Sequence, residues 1–225
     1  MAKKGFIYGD SLLKATVPEA DGKYKFHLAE VMQRYGDAAA NVTNRAKFGA
    51  TVEKGMALVS HDVERGMDAD WALIGYGGND SDYAWADISA DPKAVHLPRT
   101  SLARFGEVLG QTVALLRQRG VQPVLMTLPP IDAQRYFDFF CRDGLDRNAI
   151  LSWLGEIGVI YRHQEMYSDA IATFARRENV PLIDVRRCFL PDHHLGDLIA
   201  SDGIHLTLPG YERMMDAIFA AVGNI

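Results

Sequence analysis

Short apolar runs alternate with amphipathic helical patterns along nearly the whole chain, and this rhythm narrows the available folds more than any other feature. Residues 5–8, 38–42, 71–76, 121–128 and 180–185 read as buried strands. Residues 28–35, 51–63, 101–119, 164–177 and 211–222 read as helices. The clearest is 101–119, where Leu102, Phe105, Val108, Leu109, Thr112, Val113 and Leu116 recur at three- and four-residue steps and Gly120 follows as a stop. The last helix carries Pro209 in its first turn, a position whose N–H has no helical partner to lose. Strands separated by helices pair in parallel through crossovers, which implies an α/β three-layer sandwich.

The chain has 225 residues, 48% of them hydrophobic, and no repeat, linker or low-complexity stretch. One domain over 1–225 is therefore expected. Residues 131–161 break the rhythm. They are rich in aromatics (Tyr136, Phe137, Phe139, Phe140, Trp153, Tyr161) and are expected to form helical insertions above the sheet.

Several partner classes are disfavoured. The formal charge is −5, with no basic run and no aromatic-interleaved Lys/Arg stripe, so no nucleic-acid partner is expected. No window approaches the ~18 apolar residues of a membrane span. The first residues, Met1-Ala2-Lys3-Lys4, are basic, but Gly9-Asp10 interrupts the apolar stretch behind them. A secretory leader needs about 7–15 apolar residues there, so no export signal is read. Cys141 and Cys188 make no disulfide framework and are expected as free thiols in a reducing, cytoplasmic setting. Oligomeric state is not legible.

In open parallel sheets, ligands bind at the carboxyl ends of the strands, so the residues just beyond the runs carry the interest. Ser11, in Gly9-Asp10-Ser11-Leu12, follows the first run. A serine hydroxyl becomes a useful nucleophile once a base removes its proton; alone, the tetrapeptide reads first as a turn or helix N-cap serine. Near the other end stands Asp202-Gly203-Ile204-His205. An imidazole accepts and returns a proton near neutrality, and Asp202 could orient His205 and stabilise its protonated form. Taken alone, both are loop residues before a helix capped by Thr207. Gly77-Gly78-Asn79-Asp80 closes the third run. The Asn79 amide could donate to an oxyanion, or the segment could be a plain turn. Gly49, in the loop after the second run, lets a backbone N–H approach closely because no Cβ intervenes.

The order and positions of these four segments resemble the SGNH hydrolases, also called GDSL-type esterases and lipases. The serine block reads Gly9-Asp10-Ser11-Leu12 and the glycine block ends at Gly49. The asparagine block is Gly77-Gly78-Asn79-Asp80 and the last block is Asp202-Gly203-Ile204-His205. Ala46 stands where the family often has glycine. The resemblance spans nearly the whole chain. It implies a flavodoxin-like α/β/α sandwich with a five-stranded parallel sheet, and Ser11 as nucleophile, His205 as base and Asp202 as its partner. It implies an oxyanion hole of the Ser11 and Gly49 backbone N–H groups with the Asn79 side chain.

Competing motifs fail. No Gly-x-Ser-x-Gly elbow is present. Gly75-Tyr76-Gly77-Gly78-Asn79-Asp80 departs from a dinucleotide loop because Asp80 stands at the third glycine position. Asp192, His193, His194 and Asp197 fit no metal-ligand spacing. The expected activity is a serine carboxylic-ester hydrolase acting on a small-molecule ester through an acyl-enzyme, with no cofactor and no metal required. A lipid or thioester acyl group is one substrate class, an O-acetyl group on a carbohydrate the other. An acyltransferase or a non-catalytic binding module on the same fold are the remaining alternatives.

Overall fold

The computed structural model describes residues 3–223, so Met1 and Ala2 of the basic start lie outside the described residues. In chain order the elements are strand β1 (Gly5–Gly9), strands β2 (Thr16–Pro18) and β3 (Tyr24–Phe26), helices α1 (Leu28–Gln33) and α2 (Gly36–Ala40) and strand β4 (Val42–Asn44). Helix α3 (Val52–Glu64), strand β5 (Trp71–Gly75), helices α4 (Trp85–Ala90) and α5 (Leu102–Gln118) and strand β6 (Gln122–Met126) follow. Helices α6 (Ala133–Cys141), α7 (Arg147–Leu154) and α8 (Gly158–Arg177), strand β7 (Leu182–Ile183) and helix α9 (Leu208–Val222) complete the chain.

Five strands form a parallel sheet in the order β4-β1-β5-β6-β7. Numbered among themselves along the chain, they run 2-1-3-4-5, the flavodoxin-like order. Alternation along each strand builds the layers. Ile7, Leu73, Val124 and Met126 pack with Val31 of α1 and Tyr211, Met214 and Ile218 of α9. Tyr8, Ala72, Ile74 and Leu125 pack on the other side with Val59 of α3, Phe105 and Val108 of α5 and Tyr167 of α8. The expected three-layer α/β/α sandwich is therefore present.

The sheet order reverses direction at β1, whose neighbours are β4 on one side and β5 on the other. Connections leave this point toward opposite edges, which opens a crevice at the carboxyl ends of β1 and β5. Above it, Trp85 and Ile88 of α4, Phe137 and Cys141 of α6, Ile150 and Leu154 of α7 and Ile160 of α8 form a separate apolar cluster.

Several elements differ from the sequence reading. The strand read at 38–42 is displaced: Gly36–Ala40 is helical, and the strand occupies Val42–Asn44. Its alanines favour helix over strand. The last strand shrinks to Leu182–Ile183 at the sheet edge. Helix α8 begins at Gly158, six residues earlier than its apolar pattern suggested. The β2–β3 hairpin has no counterpart among the elements read from the sequence. Its turn carries Asp21-Gly22, with Gly22 at φ 80° and the Glu19 N–H donating to the Lys23 carbonyl at 2.8 Å. Asp-Gly between short apolar runs is the signal that identifies such a hairpin. Cys141 and Cys188 are both free. Among the described residues, no helix is long and apolar enough to cross a membrane.

Candidate active site

Ser11 starts a 3-10 turn over Leu12–Lys14 with helical backbone angles (φ −60°, ψ −29°), and its side chain makes no capping bond. Its hydroxyl lies instead 2.9 Å from His205 Nε2. A turn or N-cap role therefore does not account for the side chain.

His205 comes from a loop closed on itself. Ile199 and Leu206 form an antiparallel bridge, and the Ala200 N–H donates to the His205 carbonyl at 2.8 Å. At its tip Gly203 adopts φ 80°. A Cβ there would stand 2.4 Å from the Tyr136 nitrogen and 2.5 Å from the Asp132 carbonyl oxygen. Only glycine satisfies both the left-handed backbone and this contact with the start of α6. The turn folds Asp202 back on His205: Oδ1 accepts the Ile204 and His205 N–H groups at 3.2 and 3.0 Å, and Oδ2 lies 2.6 Å from His205 Nδ1. Thr207 also caps α9 by accepting the Gly210 N–H, so one segment serves both the helix and the imidazole. Ser11 is 8% exposed, His205 4% and Asp202 0%. Burial pushes the Asp202 carboxyl up, but the hydrogen bond and charge of His205, with the two backbone donors, outweigh it and hold the group below the usual carboxylate range.

Asn79 lies just beyond β5, with its amide nitrogen donating to Asp10 Oδ2 at 3.1 Å. Asp10 Oδ1 in turn accepts the Leu12 N–H at 3.0 Å. Asp10 thus ties the serine turn to the asparagine turn, a task the sequence did not reveal. Burial pushes its carboxyl up to about 6, against the pull of the Leu12 N–H. Asp80 is also pushed up to about 6 by burial; it accepts the Val52 N–H at the start of α3, where a carboxylate favours the helix dipole.

Gly49 sits in a turn over 47–50, where the Ala50 N–H donates to the Lys47 carbonyl at 3.1 Å. Its φ of 69° suits the third position of a type II turn, which glycine fills without strain. The Lys47 N–H donates to the Gly9 carbonyl at 2.9 Å, which fastens this loop to the end of β1. Gly49 is exposed and does not line the cavity described next. Of the five residues singled out, Ser11, Asn79 and His205 line that cavity, Asp202 backs His205, and Gly49 stands in the adjoining turn.

An open cavity runs from Ser11 and Asn79 to a wall of Tyr83, Trp85, Ile131, Leu154 and Val159. Its aromatic frame is stacked: Trp85 lies parallel to Phe140 at 4.3 Å, and Tyr83 meets Trp153 edge-on at 5.0 Å. Asp82 anchors it by accepting Trp85 Nε1–H at 2.9 Å and the Tyr136 hydroxyl at 2.8 Å. Two further rings touch the imidazole from outside the cavity. Tyr24 of β3 lies 5.2 Å from His205, and Phe48 is stacked on it at 6.3 Å with 14° between planes. Burial, then the nearby Asp202 charge, pushes the Tyr24 phenol up to about 12.

Asp192, singled out in the sequence, pairs with Arg213 at 2.6 Å on a different part of the molecule.

The family model for the GDSL-like lipase/acylhydrolase family matches residues 7–213. The chain belongs to that family. An isoamyl acetate-hydrolyzing esterase of Saccharomyces cerevisiae is 22% identical, over 98% of this chain and 86% of its own length. The lipase/acylhydrolase of Enterococcus faecalis superposes with a TM-score of 0.67 at 19% identity, covering 98% of this chain and 96% of its own. LAE5, described as an alpha/beta hydrolase enzyme from the metagenome of Lake Arreo, gives a TM-score of 0.62 at 21% identity, covering 98% and 95%. At such identities the superpositions speak for the fold alone.

Proposed function

We propose that this acylhydrolase-family protein cleaves carboxylic esters by nucleophilic catalysis at Ser11. The observation that carries the reading is the unbroken hydrogen-bonded line from Ser11 Oγ to His205 Nε2 at 2.9 Å and from His205 Nδ1 to Asp202 at 2.6 Å. His205 takes the Ser11 proton as the hydroxyl attacks the ester carbonyl. Asp202 fixes the imidazole tautomer and stabilises the imidazolium. In this reading the oxyanion draws on the Asn79 amide and the Ser11 backbone N–H, with the Gly49 N–H reaching in from the adjoining exposed turn as the third donor that the family resemblance implies; such donors are worth about 3–4 kcal/mol each where measured. His205 then protonates the leaving alkoxide. Water, deprotonated by the same imidazole, releases the acid. Every step uses groups of this chain, the substrate and water. The chain acts in this reading as one hydrolase domain, with 131–161 contributing a wall of the substrate cavity.

The apolar wall of Trp85, Ile131, Leu154 and Val159 supports an acyl chain longer than acetyl. A second reading, a small acyl group on an apolar alcohol, is favoured by the substrate in the name of the yeast relative. A p-nitrophenyl ester series from acetate to dodecanoate separates the two: the first expects rising kcat/KM with chain length, the second a strict acetate preference. In either case Ser11→Ala should lose about 10⁴-fold or more in kcat with the fold intact. Unchanged turnover in that variant would remove Ser11 as nucleophile.

A further inference from the structure

Phe48 and Phe26 are 48% and 54% exposed, large apolar rings left open beside the buried polar cluster of Ser11, His205 and Asp202. They reach each other from separate segments: Phe48 from the turn before Gly49, Phe26 from the end of β3. Their rings meet edge-on at 6.3 Å, Tyr24 lies 5.2 Å from Phe48, and Phe48 is stacked on His205. A continuous aromatic shelf thus runs outward from the imidazole. None of Tyr24, Phe26 and Phe48 lines the cavity that holds the Trp85–Leu154 wall.

The site therefore offers two apolar surfaces, and an ester has two halves. His205 must come within hydrogen-bonding distance of the leaving oxygen to protonate it. The first carbons of the alcohol then lie beside the imidazole, and outside the cavity the surface continuous with that ring is the shelf. We propose that Phe48 and Phe26 bind the alcohol half of the substrate, and that this half is a neutral alkyl or aryl group. The inference rests on the serine-esterase reading above. The Phe26 and Phe48 rings carry no hydrogen-bonding group, so what they favour in the alcohol is apolar surface. The Lys14 ammonium, 4.5 Å from the Phe26 centroid, disfavours a cationic alcohol.

Two ester series test this on the intact protein. One keeps the acyl group at acetyl and lengthens the alcohol from methyl to hexyl; the other keeps methanol as leaving group and lengthens the acyl chain. Full burial of a methylene corresponds to about a fourfold gain and a half-open shelf to about twofold per methylene. The hexyl-to-methyl ratio of kcat/KM should then reach about thirtyfold, carried by KM. Phe26→Ser, whose ring does not touch the imidazole, should cut that ratio severalfold, and the Phe26→Ser/Phe48→Ser double variant should bring it near one. The acyl-series ratios should stay as in the parent. An alcohol series that is flat in the parent, or one that responds to Leu154→Ala in the cavity and not to the shelf variants, overturns the assignment. Failure of the underlying reading has a different signature: hydrolysis insensitive to Ser11→Ala.

Discussion

On the strand-exit side of the crevice, polar side chains are buried and each is held by a short list of partners. Asp202 binds two backbone N–H groups and His205, and Asp10 binds the Leu12 N–H and the Asn79 amide. On the insertion side the wall is ring on ring, Trp85 against Phe140 and Tyr83 against Trp153, with Asp82 its polar anchor at the Trp85 and Tyr136 donors. The first region keeps carboxylates in an environment that pushes Asp10 up to about 6, an arrangement that lowers stability to hold the chemistry in place. The second follows the rule that buries rings against rings. Chemistry should therefore respond sharply to single atoms on the exit side, while the insertion side should respond to volume.

The largest effect that could break this contrast is Asp202→Asn, which keeps the shape but removes the charge that, in the proposed mechanism, sets the imidazole tautomer. It should cost about 10⁴-fold in kcat, read by steady-state kinetics on a soluble ester; a loss below tenfold would mean that Asp202 has no such part. Asn79→Ala follows, with an expected loss of about 10²–10³-fold in kcat at little change in KM. Gly203→Ala sharpens the comparison by moving backbone in place of a reacting group. Its Cβ would meet the start of α6 at 2.4 Å, so both thermal stability and kcat should fall, the former by about 1–3 kcal/mol from backbone strain. A variant with the parent melting temperature would show that the loop yields freely. On the insertion side, Leu154→Phe should lower the octanoate-to-acetate ratio of kcat/KM by about tenfold, in line with what a few methylenes are worth in a pocket. An unchanged ratio would place the acyl chain elsewhere.

The smallest effect concerns pH and stability. Burial raises the folded Asp10 carboxyl from 3.8 to about 6. Its contribution is fully present below the unfolded value and lost as pH rises through about 6; the lowered Asp202 carboxyl acts in the opposite sense, contributing above 3.8 and losing that contribution in acid. Asp10→Asn removes the first titration. Relative to the parent it should gain on the order of 2 kcal/mol between about pH 4 and pH 7, measured by urea unfolding at each pH, even as activity falls. A stability difference that does not vary with pH would contradict a buried, proton-holding Asp10.

The same contrast explains which features the sequence makes legible. Ser11, Asn79, Asp202 and His205 sit in short segments whose backbone does much of the positioning, such as the Gly203 turn that brings Asp202 onto His205 three residues later. Residue types at fixed local spacing carry that information. The strand alternation of Ile7 and Tyr8, Leu73 and Ile74, Val124 and Leu125 likewise survives from pattern to layer. What stayed hidden depends on distant segments meeting. Asp10 gains its task through Asn79, sixty-nine positions away, and Tyr24 and Phe48 matter because the hairpin brings the first, and the turn over 47–50 the second, against His205. The Asp21-Gly22 turn was legible and would have placed a hairpin after β1, though not what its ring touches. The misplacement at 38–42 came from reading apolar alanines as strand where their helix preference prevailed in α2.

Reaction with a fluorophosphonate, followed by peptide mass mapping, examines the nucleophile itself. One adduct on the peptide holding Ser11, absent in Ser11→Ala and formed far more slowly in His205→Ala, is the predicted result. Folded protein that takes up no label, or takes it up on another residue at the parent rate, would contradict it.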